Sequence, residues 1–204
     1  MSVSHLYFGN NLVDVTTTNM LTSEEGQSSD FKELVKLMAL GSKASFSYEP
    51  SDEDIILFLT KQGNLPKPKE GQTQIEAVSR ELKEDVRDIL IEAEHSMPIK
   101  DKRVQGDASE TGVIKYVQTL NDLEETRSKY PVHNYIDSAT KVQVDCAIPF
   151  SSEIKFNLFV RDMRADPNGH LSVIMKGAPE RILNRCSHIL IDGKILPFDK
   201  DRQI

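Results

Sequence analysis

The strongest structural signal in the chain lies in residues 141–186, which read KVQVDCAIPFSSEIKFNLFVRDMRADPNGHLSVIMKGAPERILNRC. Runs rich in Val, Ile, Leu and Phe predict β-strands at KVQVDCAIPF (141–150), KFNLFVRDM (155–163) and HLSVIMK (170–176). A short helix is predicted at PERILNRC (179–186), because a proline suits the first turn of a helix. Together these signals predict strands packed with helices in this part of the chain.

Further strand and helix signals flank this region on both sides. Strand pairs are predicted within residues 3–18, with a break at Gly9-Asn10-Asn11, and at SHILI-DGK-ILPF (187–198), with a turn on Asp192-Gly193. Helices are predicted through FKELVKLMALGSKA (31–44), capped by Ser29 or Asp30, and through ETGVIKYVQTL (110–120); a short strand is predicted over 43–50. Because helices and strands do not alternate regularly, we predict an α+β fold: a twisted, mainly antiparallel sheet flanked by helices.

The character of the chain changes between residues 51 and 102. A helix capped by Ser51 or Asp52 is predicted through SDEDIILFLTKQ (51–62), followed by an exposed loop at NLPKPKEGQ (64–72). Apolar residues then recur at helical spacing: Ile75, Val78, Leu82, Val86, Ile89 and Ala93. This apolar side packs either on its own domain, which burial favours, or on a partner protein.

Composition narrows the classes of function. The chain has 204 residues and a net charge of -7, which fits one soluble domain and argues against binding nucleic acid. A small anion such as ATP stays compatible, because a few lysines act locally. No apolar run reaches the roughly 20 residues that span a bilayer, so no membrane segment is expected. Cys146 and Cys186 read as reduced thiols, and the five histidines lack zinc spacing.

The first segment with unusual chemistry is GDASE (106–110), at the start of a predicted helix. Asp107 or Ser109 can cap the unpaired N–H groups of the first turn, which leaves Glu110 able to accept a hydrogen bond from an amino group. Plain helix capping explains the same residues.

The second segment is IPF (148–150), followed by Lys155. The proline favours an extended approach to Phe150, which then offers a flat face to a base, although core packing of this ring is the simpler interpretation.

The third segment, KGAPER (176–181), places Lys176 at the end of a strand. Gly177 allows a ligand close to the backbone, whereas an ordinary strand-end lysine is the alternative.

In this order and spacing, MKGAPERIL, the upstream GDASE and the intervening IPF-x4-K resemble the nucleotide-binding domain of P-type ATPases. GDASE with KGAPER is most similar to the Na,K-ATPase and H,K-ATPase alpha-subunit group. The start, MSVSHLYFGN, is similar to the sequence that follows the family's phosphorylation motif. The resemblance is strong over about 103–190, fair over 1–45 and absent over roughly 51–100. We therefore predict one nucleotide-binding domain over 1–204, C-terminally truncated, with a helical insertion at about 51–102.

The resemblance implies the roles of individual residues. Phe150 stacks on adenine and Glu110 meets its amino group. The ATP-binding set it implies is Glu110, Phe150, Lys155, Lys176, Gly177, Asp107, Ser109 and Asn157. Asn157 departs from the family, which often has Gln at that position. The family pattern also continues past Ile204 to an arginine that holds the phosphates.

The resemblance further implies a cytoplasmic domain of an integral membrane cation pump, favouring the Na+/K+ type. It would bind ATP with Mg2+, which is held mainly by the phosphates and by the phosphorylation domain. It would work with the phosphorylation and actuator domains of the same pump. Because this chain has no DKTGT-type segment, it is expected to bind ATP without hydrolysing it. The alternatives are a domain of a calcium or other cation pump, and a protein-interaction module acting through helix 75–93.

Overall fold

The computed structural model describes residues 2–198, which form two compact units. Unit 1 comprises residues 2–43 and 108–198, and unit 2 comprises residues 44–107. The helices are α1 Glu24–Gln27, α2 Ser29–Leu40, α3 Asp52–Lys61, α4 Arg80–His95, α5 Ala108–Gln118, α6 Leu123–Lys129 and α7 Pro179–Leu183. The strands are β1 His5–Phe8, β2 Asn11–Asp14, β3 Asn134–Ile136, β4 Gln143–Asp145, β5 Ala147–Ile148, β6 Phe156–Asp162, β7 Leu171–Gly177, β8 His188–Ile191 and β9 Lys194–Pro197.

The strands of unit 1 pair only in the antiparallel sense, in one three-stranded sheet, β5-β6-β7, and in the two-stranded pairs β1-β2, β3-β4 and β8-β9. The predicted α+β class with antiparallel strands and flanking helices is confirmed. The strands form several small sheets in the described residues, where a single sheet was predicted. The core of unit 1 includes Phe31, Val35, Leu40, Ile114 and Phe159.

Both predicted hairpin turns are present, and each has two consecutive residues in the left-handed region. Gly9 and Asn10 have φ values of 53° and 66°, and Asp192 and Gly193 have φ values of 50° and 71°. This geometry matches the right-handed twist of paired strands, which explains why Gly and Asn or Asp occupy these turns.

The N-cap of helix α2 lies one residue before the predicted Ser29 or Asp30. The Ser28 hydroxyl accepts a hydrogen bond from the Phe31 amide at 3.2 Å, so Ser28 is the N-cap and the assignment to Ser29 or Asp30 is wrong. Asp30 is instead buried in the first turn, and its carboxylate accepts bonds from the amides of Asp192 and Gly193, both at 2.7 Å. A long-range contact therefore decides the position of this aspartate.

Unit 2 is a helical hairpin with a core of its own. Ser51 caps α3, as predicted, and forms a capping box with Asp54. The buried core is lined by Ile55, Leu59, Val78 and Val86, with Phe58, Leu65, Ile75, Leu82 and Leu90 packed against it. The apolar side of the predicted helix 75–93 thus packs within its own unit, although Ile89 remains half exposed.

Two local predictions in and near unit 2 fail. Helix α4 begins only at Arg80, because Ser79 caps it, so Ile75 and Val78 pack from the preceding turns. Residues 43–50 form no strand and contribute only an isolated antiparallel bridge, Ser45 to Gln105. Helix α6 and strand β3 were not predicted from the sequence. The proposal that residues 51–102 are an insertion stays a prediction.

Candidate functional site

Three of the predicted site residues meet in unit 1. Asn157 of β6 and Lys176 of β7 are direct partners across the strand pair, and Glu110 lies in the first turn of α5. Lys176 Nζ donates to Glu110 Oε1 at 2.7 Å, and Asn157 Nδ2 approaches the same oxygen at 3.4 Å. The two strands and the start of α5 therefore bring a carboxylate, an ammonium group and an amide together.

The burial of these three groups is uneven. Glu110 is 8% exposed and Asn157 is 5% exposed, whereas the Lys176 side chain is 40% exposed. A carboxylate so deeply buried needs a cation or hydrogen-bond donors, and Lys176 supplies both from the solvent side. The Lys176 ammonium group therefore forms the more exposed side of this ion pair.

The Asn157 amide has one satisfied end and one unsatisfied end. Its Nδ2 donates to the Gly41 carbonyl at 3.3 Å, in addition to approaching Glu110. Its Oδ1 is buried and meets no hydrogen-bond donor among residues 2–198. A buried acceptor without a donor is costly and uncommon, so this oxygen is a candidate ligand contact.

Phe150 and Lys155 lie on the loop between β5 and β6. The pairing of Ile148 with Leu158 sets this loop at the same end of the sheet as Asn157. Phe150 is 60% exposed, so the alternative that its ring packs in the core is wrong. Lys155 has a left-handed φ of 60°, and its Nζ lies 4.0 Å from Glu180 Oε1. The loop thus presents an accessible aromatic ring and an accessible cation.

The glycine at 177 has a role inside the protein. It is paired with Phe156, and an added Cβ would clash with the Lys155 carbonyl and with the Phe156 backbone. The Ala178 amide also donates to that carbonyl at 2.9 Å. Gly177 therefore permits the tight junction between β7, α7 and the start of β6; close approach of a ligand ring stays a prediction.

Asp107 and Ser109 are both exposed at the entry to α5. Ser109 lies in the first turn of the helix, and Asp107 is the last residue of unit 2. Their supporting role at a nucleotide site stays a prediction.

Sequence reasoning missed Arg127 and Arg161, which form with Asn157 a polar cluster that we call the carbonyl clamp. These side chains bind four consecutive carbonyl oxygens at the end of α2: Ala39, Leu40, Gly41 and Ser42. The last carbonyls of a helix lack partners within the helix, and cationic donors also suit its negative end. The clamp therefore anchors α2 to β6 and α6.

The electrostatics of the clamp follow from its burial. Burial, followed by the like charge of Arg127, lowers the pKa of Arg161 to about 10, which leaves the guanidinium charged at neutral pH. Burial also lowers the pKa of Arg127, against the opposing charges of Glu124 and Glu110. One sequence signal was available: Asn157, Phe159 and Arg161 alternate along β6 and all point inward.

Residues 2–198 contain no group of three His, Cys, Asp or Glu side chains arranged to hold a metal ion. In the same range, every helix is too short or too polar to cross a membrane.

Comparison with known proteins gives a consistent result. The family described as "P-type ATPase, cytoplasmic domain N" matches residues 87–204. The chain is 30% identical over 204 residues to the potassium-transporting ATPase alpha chain 2 of Oryctolagus cuniculus, which covers 98% of the chain and 13% of that protein. It is 35% identical over 116 residues to the sodium/potassium-transporting ATPase subunit alpha-2 of Gallus gallus, covering 56% of the chain and 10% of that protein.

A third relative, the potassium-transporting ATPase alpha chain 1 of Xenopus laevis, is 28% identical over 205 residues, covering 98% of the chain and 14% of that protein. The chain therefore spans only 10 to 14% of the length of these relatives. Since the family match includes α5 and the β5-β6-β7 sheet with Asn157 and Lys176, the chain belongs to the P-type ATPases, as their cytoplasmic domain N.

Proposed function

We propose that this chain is the ATP-binding domain of a cation pump, and that it binds the adenine of ATP. In the pump, it would present the γ-phosphate to an aspartate on a separate phosphorylation domain. Family membership supports this proposal, and so does the chemistry gathered at one end of the β5-β6-β7 sheet. The single observation that carries it is the exposed ring of Phe150 on the β5–β6 loop, at the end of the sheet where Glu110, Lys176 and Asn157 meet.

Each residue has a role that fits its environment. Phe150 offers a face for stacking on the base, which is worth about 1–3 kcal/mol. Glu110 is an acceptor for the adenine amino group once Lys176 turns towards the nucleotide. Lys155 and Lys176 both carry exposed ammonium groups suited to phosphate. Asp107, Ser109 and Gly177 shape the surrounding backbone.

Magnesium would arrive with the nucleotide. Following the resemblance to the family, the ion would be held mainly by the phosphates and by the phosphorylation domain. The chain would act through positioning, which is the main protein contribution to phosphoryl transfer. Alone, it is expected to bind ATP without hydrolysing it.

The parent pump is proposed to be an integral membrane protein that works with its phosphorylation and actuator domains, with this domain on the cytoplasmic side. The similarity to sodium/potassium-transporting and potassium-transporting ATPases supports transport of sodium or potassium over calcium. Ion selectivity itself would reside in membrane helices.

The expected affinity is low. One base stack at about 1–3 kcal/mol and a few hydrogen bonds at about 1 kcal/mol each must offset the entropy of association. Roughly 4–5 kcal/mol remains, which corresponds to a Kd near 1 mM.

The test is an amide NMR titration of the chain with ATP, since the absence of tryptophan makes intrinsic fluorescence a poor probe. Saturable shifts are expected at Glu110, Phe150, Lys155 and Lys176, and Phe150→Ala should weaken binding about tenfold, as loss of a stacking ring predicts. The matched control is Tyr135→Ala, which removes a half-exposed aromatic ring from the separate β3-β4 pair. A folded chain whose spectrum ignores several millimolar ATP would refute the proposal.

A further inference from the structure

The carbonyl clamp bears on which nucleobase the proposed site prefers. We propose that Arg161 is a positioning residue that sets the adenine selectivity of the site without touching the nucleotide. This inference rests on the proposed function, because it assumes that the ligand is a purine nucleotide bound beside Glu110 and Asn157.

Arg161 is held rigidly in the core of unit 1. It is 4% exposed, and its Nε and Nη2 donate to the Leu40 carbonyl at 3.1 and 2.9 Å. Its Nη1 donates to the Tyr130 carbonyl at 3.2 Å. The guanidinium lies 5.5 Å from the centroid of the Phe159 ring, which lies between Arg161 and Asn157 on the inward face of β6. Few rotamers satisfy all of these contacts, so the Leu40 carbonyl is fixed in place.

The Leu40 carbonyl is adjacent in the chain to the one that orients Asn157. Gly41 follows Leu40, and its carbonyl accepts from Asn157 Nδ2 at 3.3 Å. With Nδ2 committed to Gly41 and Glu110, the amide cannot rotate by half a turn without losing both contacts. Arg161 therefore determines, through the end of α2, that Asn157 offers an acceptor and not a donor at Oδ1.

A buried acceptor selects a ligand that brings a donor. Asn157 Oδ1 is buried, so a ligand must displace a neighbouring side chain to reach it. Lys176, the cross-strand partner of Asn157, is more exposed than Glu110 and is therefore the side chain that we expect to move. The 6-amino group of adenine supplies a donor, whereas the 6-oxo group of hypoxanthine presents a second acceptor. We expect the chain to prefer ATP over ITP by about tenfold, the usual effect of one buried unpaired polar group.

The test measures the ratio of the Kd values for ITP and ATP by NMR titration. The variants are Arg161→Lys, which keeps the charge and loses the forked donor, and Arg161→Gln, which keeps a donor and loses the charge. The matched control is Arg164→Lys, an exposed arginine of the same hairpin that pairs with Asp162. We expect the ratio to fall to about threefold or less in the Arg161 variants and to stay unchanged in the control.

This readout separates positioning from stability. A purely structural role would reduce the folded fraction and would weaken ATP and ITP equally, leaving their ratio intact. An unchanged ratio in a folded Arg161 variant that still binds ATP would therefore overturn the inference and leave the proposed function standing. Failure of the unmodified chain to bind ATP would instead refute the proposed function.

A measurement on the unmodified chain covers the case in which both variants unfold. Because Arg161 is coupled to Asn157 through Leu40 and Gly41, ATP is expected to shift the Nε–H signal of Arg161 and ITP to leave it in place. Equal responses to both nucleotides would count against the coupling.

Discussion

Replacing Lys176 with Met tests whether the ion pair with Glu110 holds the site together. The change removes the 2.7 Å bond from Nζ to Oε1 while keeping the bulk of the side chain, and it leaves a carboxylate that is 8% exposed. Breaking a fully buried pair costs about 3–5 kcal/mol, and an exposed pair is worth about 0–1 kcal/mol. Since Lys176 is 40% exposed, we expect the free energy of unfolding to fall by about 2 kcal/mol.

The assay is urea unfolding at neutral pH, followed by the NMR peaks of unit 1 residues so that unit 2 does not contribute. The control is Lys155→Met, because Lys155 lies 4.0 Å from Glu180 and both side chains are largely exposed; its cost should stay below about 0.5 kcal/mol.

A double-mutant cycle with Glu110→Gln isolates the pair itself. Coupling of about 1–2 kcal/mol is expected, since a charged hydrogen bond is being removed. If the coupling is below about 0.3 kcal/mol, or if both lysine variants lose the same stability, Lys176 does not neutralise Glu110 in the folded chain.

Two further predictions concern the contacts that tie the other elements of unit 1 together. Asp30→Asn should lower the free energy of unfolding by about 1–3 kcal/mol, because it weakens the charged hydrogen bonds from the amides of Asp192 and Gly193. Urea unfolding measures this loss, with Asp192→Asn as the control variant. Hydrogen bonds from Tyr130 and Lys129 lower the pKa of Asp166 in the folded chain. Its carboxylate therefore stabilises the fold fully at pH values above the unfolded pKa, which is near 4. This stabilisation is lost as the pH falls through the lower, folded pKa. Between pH 6 and 2.5, the midpoint temperature of thermal unfolding should therefore fall more steeply in the original chain than in Asp166→Asn. Parallel pH dependences of the two midpoints would contradict this assignment.

Local sequence patterns predicted turns, helix caps and strands correctly where the interaction that determines them lies nearby in the sequence. The hairpin turns at Gly9-Asn10 and Asp192-Gly193 follow from turn residues, and the Ser51 cap follows from the preference for serine at helix starts. Strands β6 and β7 follow from runs of strand-forming residues. Gly177 differs, because sequence reasoning explained it by the close approach of a ligand, whereas the structure shows that an added Cβ would clash with residues 155–156. Close approach of a ligand there stays a prediction.

The remaining features depend on contacts between distant parts of the chain. Asp30 resembles a helix cap in the sequence but binds a turn more than 160 residues later. Arg161 resembles an ordinary strand arginine but binds the Leu40 carbonyl, 121 residues earlier. Buried arginine is rare without such partners, and only the fold reveals that the end of α2 supplies them.

The pairing of Glu110 with Lys176 bears on how tightly the proposed site can bind. Both residues were predicted to meet ATP separately, yet in the structure each is the partner of the other. A nucleotide that recruits both must first replace their ion pair, so its net gain is smaller than the sum of its new contacts. Under the proposed function, the domain would be tethered to the phosphorylation domain. Weak binding would then suffice, because tethering raises the effective concentration of the γ-phosphate at the acceptor aspartate. Under the proposed function, the ion pair therefore stabilises the empty site and lowers its affinity for ATP.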